Sequence, residues 1–134
     1  MTSKVEYLGN LRAQSTHLKS GNSFITDAPL DNNGKGEAFS PTDTVATGLA
    51  SCMITVMGIK ARDMDVDMTG TTAHINKIMA ADPRRISRIE ITLEFPFEAD
   101  KKTRAVLERV AYTCPVFYSL HPDIEKDFTF IWKG

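Results

Sequence analysis

The chain has 134 residues, 42% of them apolar and 25% charged, with a formal net charge of -1 at pH 7. That length and composition fit one ordinary globular domain, residues 1–134, with a modest core of its own. Sixteen basic and 17 acidic side chains, interspersed, exclude the charge pattern of a nucleic-acid binder or of a protein held to an anionic membrane. The first residues, MTSKVEYLGN, carry no apolar run of the signal-peptide kind, so a cytoplasmic location is expected. In that reducing compartment two cysteines are expected as free thiols or a working redox pair rather than a structural staple.

In chain order, residues 5–18 read as extended, with a bend at Gly9-Asn10, and Ser20-Gly21-Asn22 turns the chain into a partner strand over 23–26. Residues 27–38, DAPLDNNGKGEA, have the Pro, Gly and Asn content of a loop, long enough to be functional or mobile. The GKGE within it lacks the spacing of a phosphate loop.

The stretch 39–60, FSPTDTVATGLASCMITVMGIK, organises the rest. Val45, Leu49, Cys52, Val56 and Ile59 fall on one helix face, and Ala46, Ala50, Met53 and Met57 form a second stripe beside it. Such a helix has to be surrounded by protein. The uncharged run is shorter, and richer in Thr and Ser, than the roughly 20 apolar residues of a membrane span. Ser40 suits the N-cap, Pro41 the first helical position and Asp43 the acid of a capping box.

Residues 65–79 read as a strand with Gly70 as a bulge, and Asp82-Pro83 turns the chain. Ile89, Ile91, Leu93 and Phe95 alternate with polar residues in a strand over 86–97. Asp100 caps a second helix whose Val106, Leu107, Val110, Ala111 and Cys114 share a face. Pro115 either ends that helix or opens a short new one with Cys114 at its start. Phe128, Phe130 and Trp132 alternate in a closing strand. The order of elements implies an α+β fold, mainly antiparallel. One small sheet covers one side of a helix apolar on several, so two copies packing their central helices together, a homodimer, are expected.

Each cysteine fits the role of a small core residue. Read chemically, Cys52 lies mid-helix, where no dipole assists ionisation, so a thiolate there needs a cation from elsewhere. Cys114, if it begins a new helix, has the dipole in its favour.

FSPTDTVATGLASC followed far downstream by TCPVFYSL resembles the OsmC/Ohr family, the osmotically inducible and organic-hydroperoxide-resistance proteins. The order of elements agrees over nearly the whole chain. The resemblance implies an intertwined homodimer with two long helices back to back inside wrapped sheets. It implies thiol-dependent reduction of organic hydroperoxides, with Cys52 peroxidatic and Cys114 resolving, no bound cofactor, and a small dithiol or a lipoylated protein as reductant. In the hydroperoxide-resistance branch an arginine from an early strand and a glutamate near the start of the cysteine helix hold the thiolate. Arg12 stands about where that arginine belongs. The glutamate's place, directly after the proline, holds Thr42, while Asp43 one position on matches other branches. Asp43 therefore either orients Arg12 or only caps the helix. Roughly two and a half turns separate it from Cys52 on the opposite face, so a catalytic Asp43 more naturally serves the other subunit's site.

Met53, Phe117 and Phe39 are the expected apolar lining for the substrate. Arg62, Arg84, Arg85 and Arg88 read as solvated charges, and His17 and His74 as strand residues. His121 falls in a turn after the second cysteine segment and is a minor candidate. No residues stand at metal-ligand spacing. The alternative to a peroxidase is a non-catalytic dimer of the same fold that binds a small apolar ligand at its interface.

Overall fold

A computed structural model describes all of residues 1–134. Its elements run β1 (Ser3–Gly9), β2 (Arg12–His17), β3 (Ser23–Asp27), α1 (Pro41–Asp63), β4 (Thr72–Ala80), β5 (Arg85–Phe95), α2 (Lys101–Ala111), α3 (Pro115–Ser119) and β6 (Glu125–Trp132), an α+β arrangement with two sheets. The chain divides into two compact units, Met1–Val45 and Ala46–Gly134.

In the first unit β1, β2 and β3 form an antiparallel sheet in sequence order. The bend after β1 reverses the chain through positive φ at Gly9, Asn10 and Leu11, and Gly21 takes φ 77° in the next turn. The register pairs Arg12 with Asp27 and Ser15 with Phe24. Alternation then gathers Val5, Tyr7, Ala13 and Phe24 on one face, where Val5, Tyr7 and Phe24 are 65%, 68% and 50% exposed. Those three side chains are exposed in the single chain, on a face they share with Ser15 and the buried Thr26.

The long segment after β3 is folded back rather than slack. A 3₁₀ turn at Leu30–Asn32 leads to Gly34, which lies so near Ala28 that a Cβ there would sit 1.7 Å from the Ala28 carbonyl oxygen. Phe39 then bridges to Thr26, and the Asp27 N–H donates to the Phe39 carbonyl at 2.9 Å.

At the start of α1, Ser40 and Asp43 form the capping box read from the sequence: the Asp43 N–H donates to Ser40 Oγ at 3.1 Å and the Ser40 N–H to Asp43 Oδ2 at 2.9 Å. The helix runs for 23 residues, well beyond the uncharged stretch. By length and composition it could cross a membrane, which corrects the expectation that it is too short. Leu49, Met53 and Met57 nevertheless have no exposed surface, because they are packed into a protein core with β5 and α2.

That core belongs to the second unit. β4 and β5 form an antiparallel hairpin, and β6 returns alongside β5 in the parallel sense after α2 and α3. Three of the four strand pairings are thus antiparallel and the closing one is not. A parallel return needs a crossover, and the two helices provide it. Ile89, Ile91, Leu93 and Phe95 alternate into the core, and a bulge opposite Ile78/Met79 shifts the phase so that Ile86 joins them. Phe128, Phe130 and Trp132 pair with Ile91, Leu93 and Phe95, and the Phe95 and Trp132 rings stack with centroids 3.7 Å apart. Each such aliphatic side chain removed from water contributes about 1.5–3 kcal/mol. Residues 65–79 are not one strand: β4 begins at Thr72, and the preceding segment turns through Gly70 at φ 91°. The apolar residues there, Val66 and Met68, pack on the core from a turn rather than from a ladder.

Candidate functional site

Both cysteines are free thiols and both belong to the second unit. Cys52 lies in the fourth turn of α1 and is half-buried, flanked by exposed Ser51 and fully buried Met53. Cys114 has no exposed surface. Of the two readings of Pro115, the structure takes the second: α2 ends at Ala111, and Cys114 is the N-cap of α3 in extended backbone, with Pro115 at the first helical position. Its Sγ accepts a hydrogen bond from the Phe117 N–H at 3.3 Å. The Cys52 thiol lies close enough to act on that of Cys114. Residues roughly sixty positions apart are thereby joined, because α1 and the α2–α3 corner close over the same core.

Burial is the main influence on Cys114, pushing its thiol above the ordinary value. The Phe117 N–H opposes this, and the neighbouring Cys52 thiol adds to it. Cys114 is therefore held as a neutral, inaccessible S–H beside a more accessible sulfur.

Arg12 belongs to the first unit. Its Nε and Nη2 donate to Oδ1 and Oδ2 of Asp27 at 2.7 and 2.8 Å, and Nη2 also reaches Glu37 Oε1 at 3.3 Å. Asp27 is buried, and its Oδ2 accepts a further bond from the Glu37 N–H at 3.1 Å. The hydrogen bonds from Arg12 hold the Asp27 carboxyl below its ordinary value, against the opposing effect of burial, and the pairing raises Arg12 in turn. A cavity of about 270 Å³ in this unit is lined by Arg12 and Asp27 together with apolar Tyr7, Leu11, Ala13 and Pro29.

The site residues read from the sequence are distributed as follows. Cys52 and Cys114 come together. Arg12 is ordered by Asp27 and Glu37, neither of which was singled out by sequence, and Asp43 closes the helix cap. Met53 lies wholly inside the core and so presents no surface to an incoming molecule. Phe117 is half-buried against Tyr112 and Phe128, while Phe39 is half-exposed in the first unit. His121 accepts from the Asp123 N–H within its own turn, and Arg88 is spread over Glu90, Glu125 and Asp127. No group of three or more His, Cys, Asp or Glu side chains could hold a metal ion. A signal for Asp27 was present in the sequence, since an acid ends the strand that faces Arg12 across a hairpin, but it requires the hairpin register.

The family model for OsmC-like protein matches residues 34–128. Among solved structures, the chain is similar to a candidate osmotic stress induced and detoxification response protein from Psychrobacter arcticus. The two are 57% identical over 97% of this chain and 95% of that one, with a TM-score of 0.95. At 13% identity it superimposes on an organic hydroperoxide resistance protein OsmC from Legionella pneumophila over 98% of this chain and 97% of that one, with a TM-score of 0.76. For the organic hydroperoxide resistance protein OhrB of Bacillus subtilis the identity is 15%, the coverage 97% and 98%, and the TM-score 0.71. No curated protein matches. A family model spanning most of the chain and a close relative over nearly all of it agree with the α+β architecture: the chain belongs to the OsmC-like protein family.

Proposed function

We propose that the protein is a cysteine-based peroxidase for organic hydroperoxides. The observation that carries this reading is the pair of neighbouring free thiols, one half-buried and one fully buried. The Cys52 thiolate attacks the terminal oxygen of ROOH. The O–O bond breaks, the alkoxide leaves and takes a proton to become ROH, and Cys52 becomes a sulfenic acid. The sulfur of Cys114 then attacks the Cys52 sulfur, forming the disulfide, and its proton leaves with the displaced hydroxide as water. Two electrons have passed from two thiols to the peroxide. A small dithiol or a lipoylated protein returns them.

Arg12 stabilises the thiolate and the negative charge developing on the leaving oxygen. A homodimer is part of the reading, for Val5, Tyr7 and Phe24 of β1–β3 and Val45 and Ile59 of α1 are exposed in one chain, and a second copy would bury them. Free-thiol counting tests the chemistry. One equivalent of cumene hydroperoxide should remove both thiols from the parent and leave a Cys52–Cys114 disulfide in peptide mass spectra. A Cys52→Ser protein that consumes the peroxide at the parent rate would overturn it.

A further inference from the structure

We propose that Lys126 is a positioning residue for the second thiol: it latches α3 onto β6 and so keeps Cys114 covered, reserved for Cys52. The use of this latch rests on the peroxidase reading, in which Cys114 resolves; its existence does not. All of its parts belong to the second unit.

Lys126 stands where the strand pattern asks for an apolar residue. Phe128, Phe130 and Trp132 follow it at intervals of two and pair with Ile91, Leu93 and Phe95, while Lys126 itself pairs with Ile89, which has no exposed surface. Period two places all four side chains on the core side of β6. A half-buried lysine there lays its stem on apolar surface and needs a partner for its ammonium. It finds two, both in the α3 corner. Nζ lies 5.4 Å from the centre of the Phe117 ring and donates to the His121 carbonyl at 3.1 Å. The first contact holds the middle of α3, and the second holds the turn by which the chain leaves it.

Such a hold matters because α3 has only five residues, far below the length at which a helix is stable by itself. Phe117 is its pivot. The Phe117 N–H donates to Cys114 Sγ, and the ring lies against the ammonium with Tyr112 and Phe128 at its edges. β6 is a fixed anchor, paired with β5 from Glu125 to Trp132. If α3 lifts from β6, the Cys114 sulfur loses both its cover and its donor.

Val116, Leu120 and Ile124 also pack on the core, so α3 has an apolar hold as well as the ammonium. Lys126→Met separates the two, for it keeps the length and apolar character of the side chain and removes the charge and its N–H groups. The measurement is iodoacetamide labelling of Cys114 and of Cys52, each followed by peptide mass spectrometry in the reduced, full-length protein without denaturant. Buried Cys114 labels only when the structure opens locally. Lys126→Met should label it about tenfold faster than the parent, the effect of losing one cation–π contact and one hydrogen bond. Cys52 should change much less, and Lys126→Arg, which keeps a cation and donors, should restore slow labelling of Cys114. Parent-like labelling of Cys114 in folded Lys126→Met overturns the proposal, as does an equal rise at both cysteines. Should Lys126→Met not fold, Phe117→Leu decides: it takes the ring away from the ammonium, so Cys114 should label several-fold faster, and the parent rate overturns the proposal. No peroxide enters this measurement, so failure of the latch is distinct from failure of the peroxidase reading, which shows as a parent that forms no disulfide with cumene hydroperoxide.

Discussion

Oxidation of the cysteine pair by one equivalent of an organic hydroperoxide should stabilise the protein, by an amount that follows from where the thiols sit. A Cys52–Cys114 bond closes a loop of about sixty residues, which in the chain-entropy account contributes about 4 kcal/mol. The opposing effect is local. Cys114 Sγ caps α3 by accepting from the Phe117 N–H at 3.3 Å, and turning it fully towards Cys52 weakens that cap at a cost of about 1 kcal/mol. The thiols are already neighbours, so no element has to move far. The net gain is about 3 kcal/mol, which for a chain of this length raises the thermal midpoint by about 10 °C. Thermal unfolding followed by circular dichroism, at one protein concentration, compares reduced protein with protein oxidised and freed of peroxide. A Cys114→Ser protein treated in the same way should not show the rise. A midpoint that falls on oxidation, with the disulfide confirmed by mass spectrometry, would refute the reasoning. It would mean that the sulfurs can bond only by pulling Cys114 out of its packing.

Acid should weaken the first unit through Asp27, whose carboxyl Arg12 holds below the ordinary 3.8. A depressed folded-state value means that this stabilisation is complete above the ordinary value and is lost as pH falls through the depressed one. Asp67, Glu90 and Asp100 are depressed as well, so the readout is the difference between parent and Asp27→Asn in melts from pH 5 to pH 2. That difference should shrink with acid, and one constant across the range would remove Asp27 from the acid response. Sedimentation at low micromolar concentration should give a dimer for the parent, and Ile59→Glu, which places a charge on an exposed α1 position, should move it towards monomer. A parent that sediments as a folded monomer ends the dimer proposal.

Much of the second unit was legible because its elements carry strong periodicity and clear punctuation. Alternation located β5, Asp100 marked the N-terminus of α2 with its side chain on the Thr103 N–H at 2.7 Å, and Ser40-Pro41 opened α1. What failed was where pattern and packing part company. Val66 and Met68 look like strand residues yet pack from a turn, and alternation in β6 says nothing of its direction relative to β5. In the first unit the missing information was register. Arg12 and Asp27 lie on facing strands of one hairpin, but whether they meet depends on how many residues the turn after His17 consumes, which residue type alone does not determine. The acid beside Arg12 was therefore sought at the start of α1, where capping chemistry makes an aspartate conspicuous, and not at the end of β3, where it is buried.

In the proposed peroxidase, the division of labour between the two thiols would be a consequence of packing rather than of residue type. Cys52 sits on the flank of α1, between the stripe that faces the core and the Ser51 and Thr55 side, on a helix whose backbone cannot yield without breaking its ladder. Cys114 sits at a corner. Pro115 cannot continue α2, so the chain enters α3 through extended backbone at φ -75°, ψ 147°, and Sγ turns inward to a backbone N–H. A thiol used as a cap can exchange that weak acceptor role for a sulfur–sulfur bond by rotation about its own χ1, leaving both helices standing. The accessible sulfur is therefore the rigid one and the buried sulfur the adjustable one. A peroxidase needs that order: the first thiol must hold its place against an incoming oxygen, and the second must stay neutral and out of reach until there is a sulfenic acid to attack.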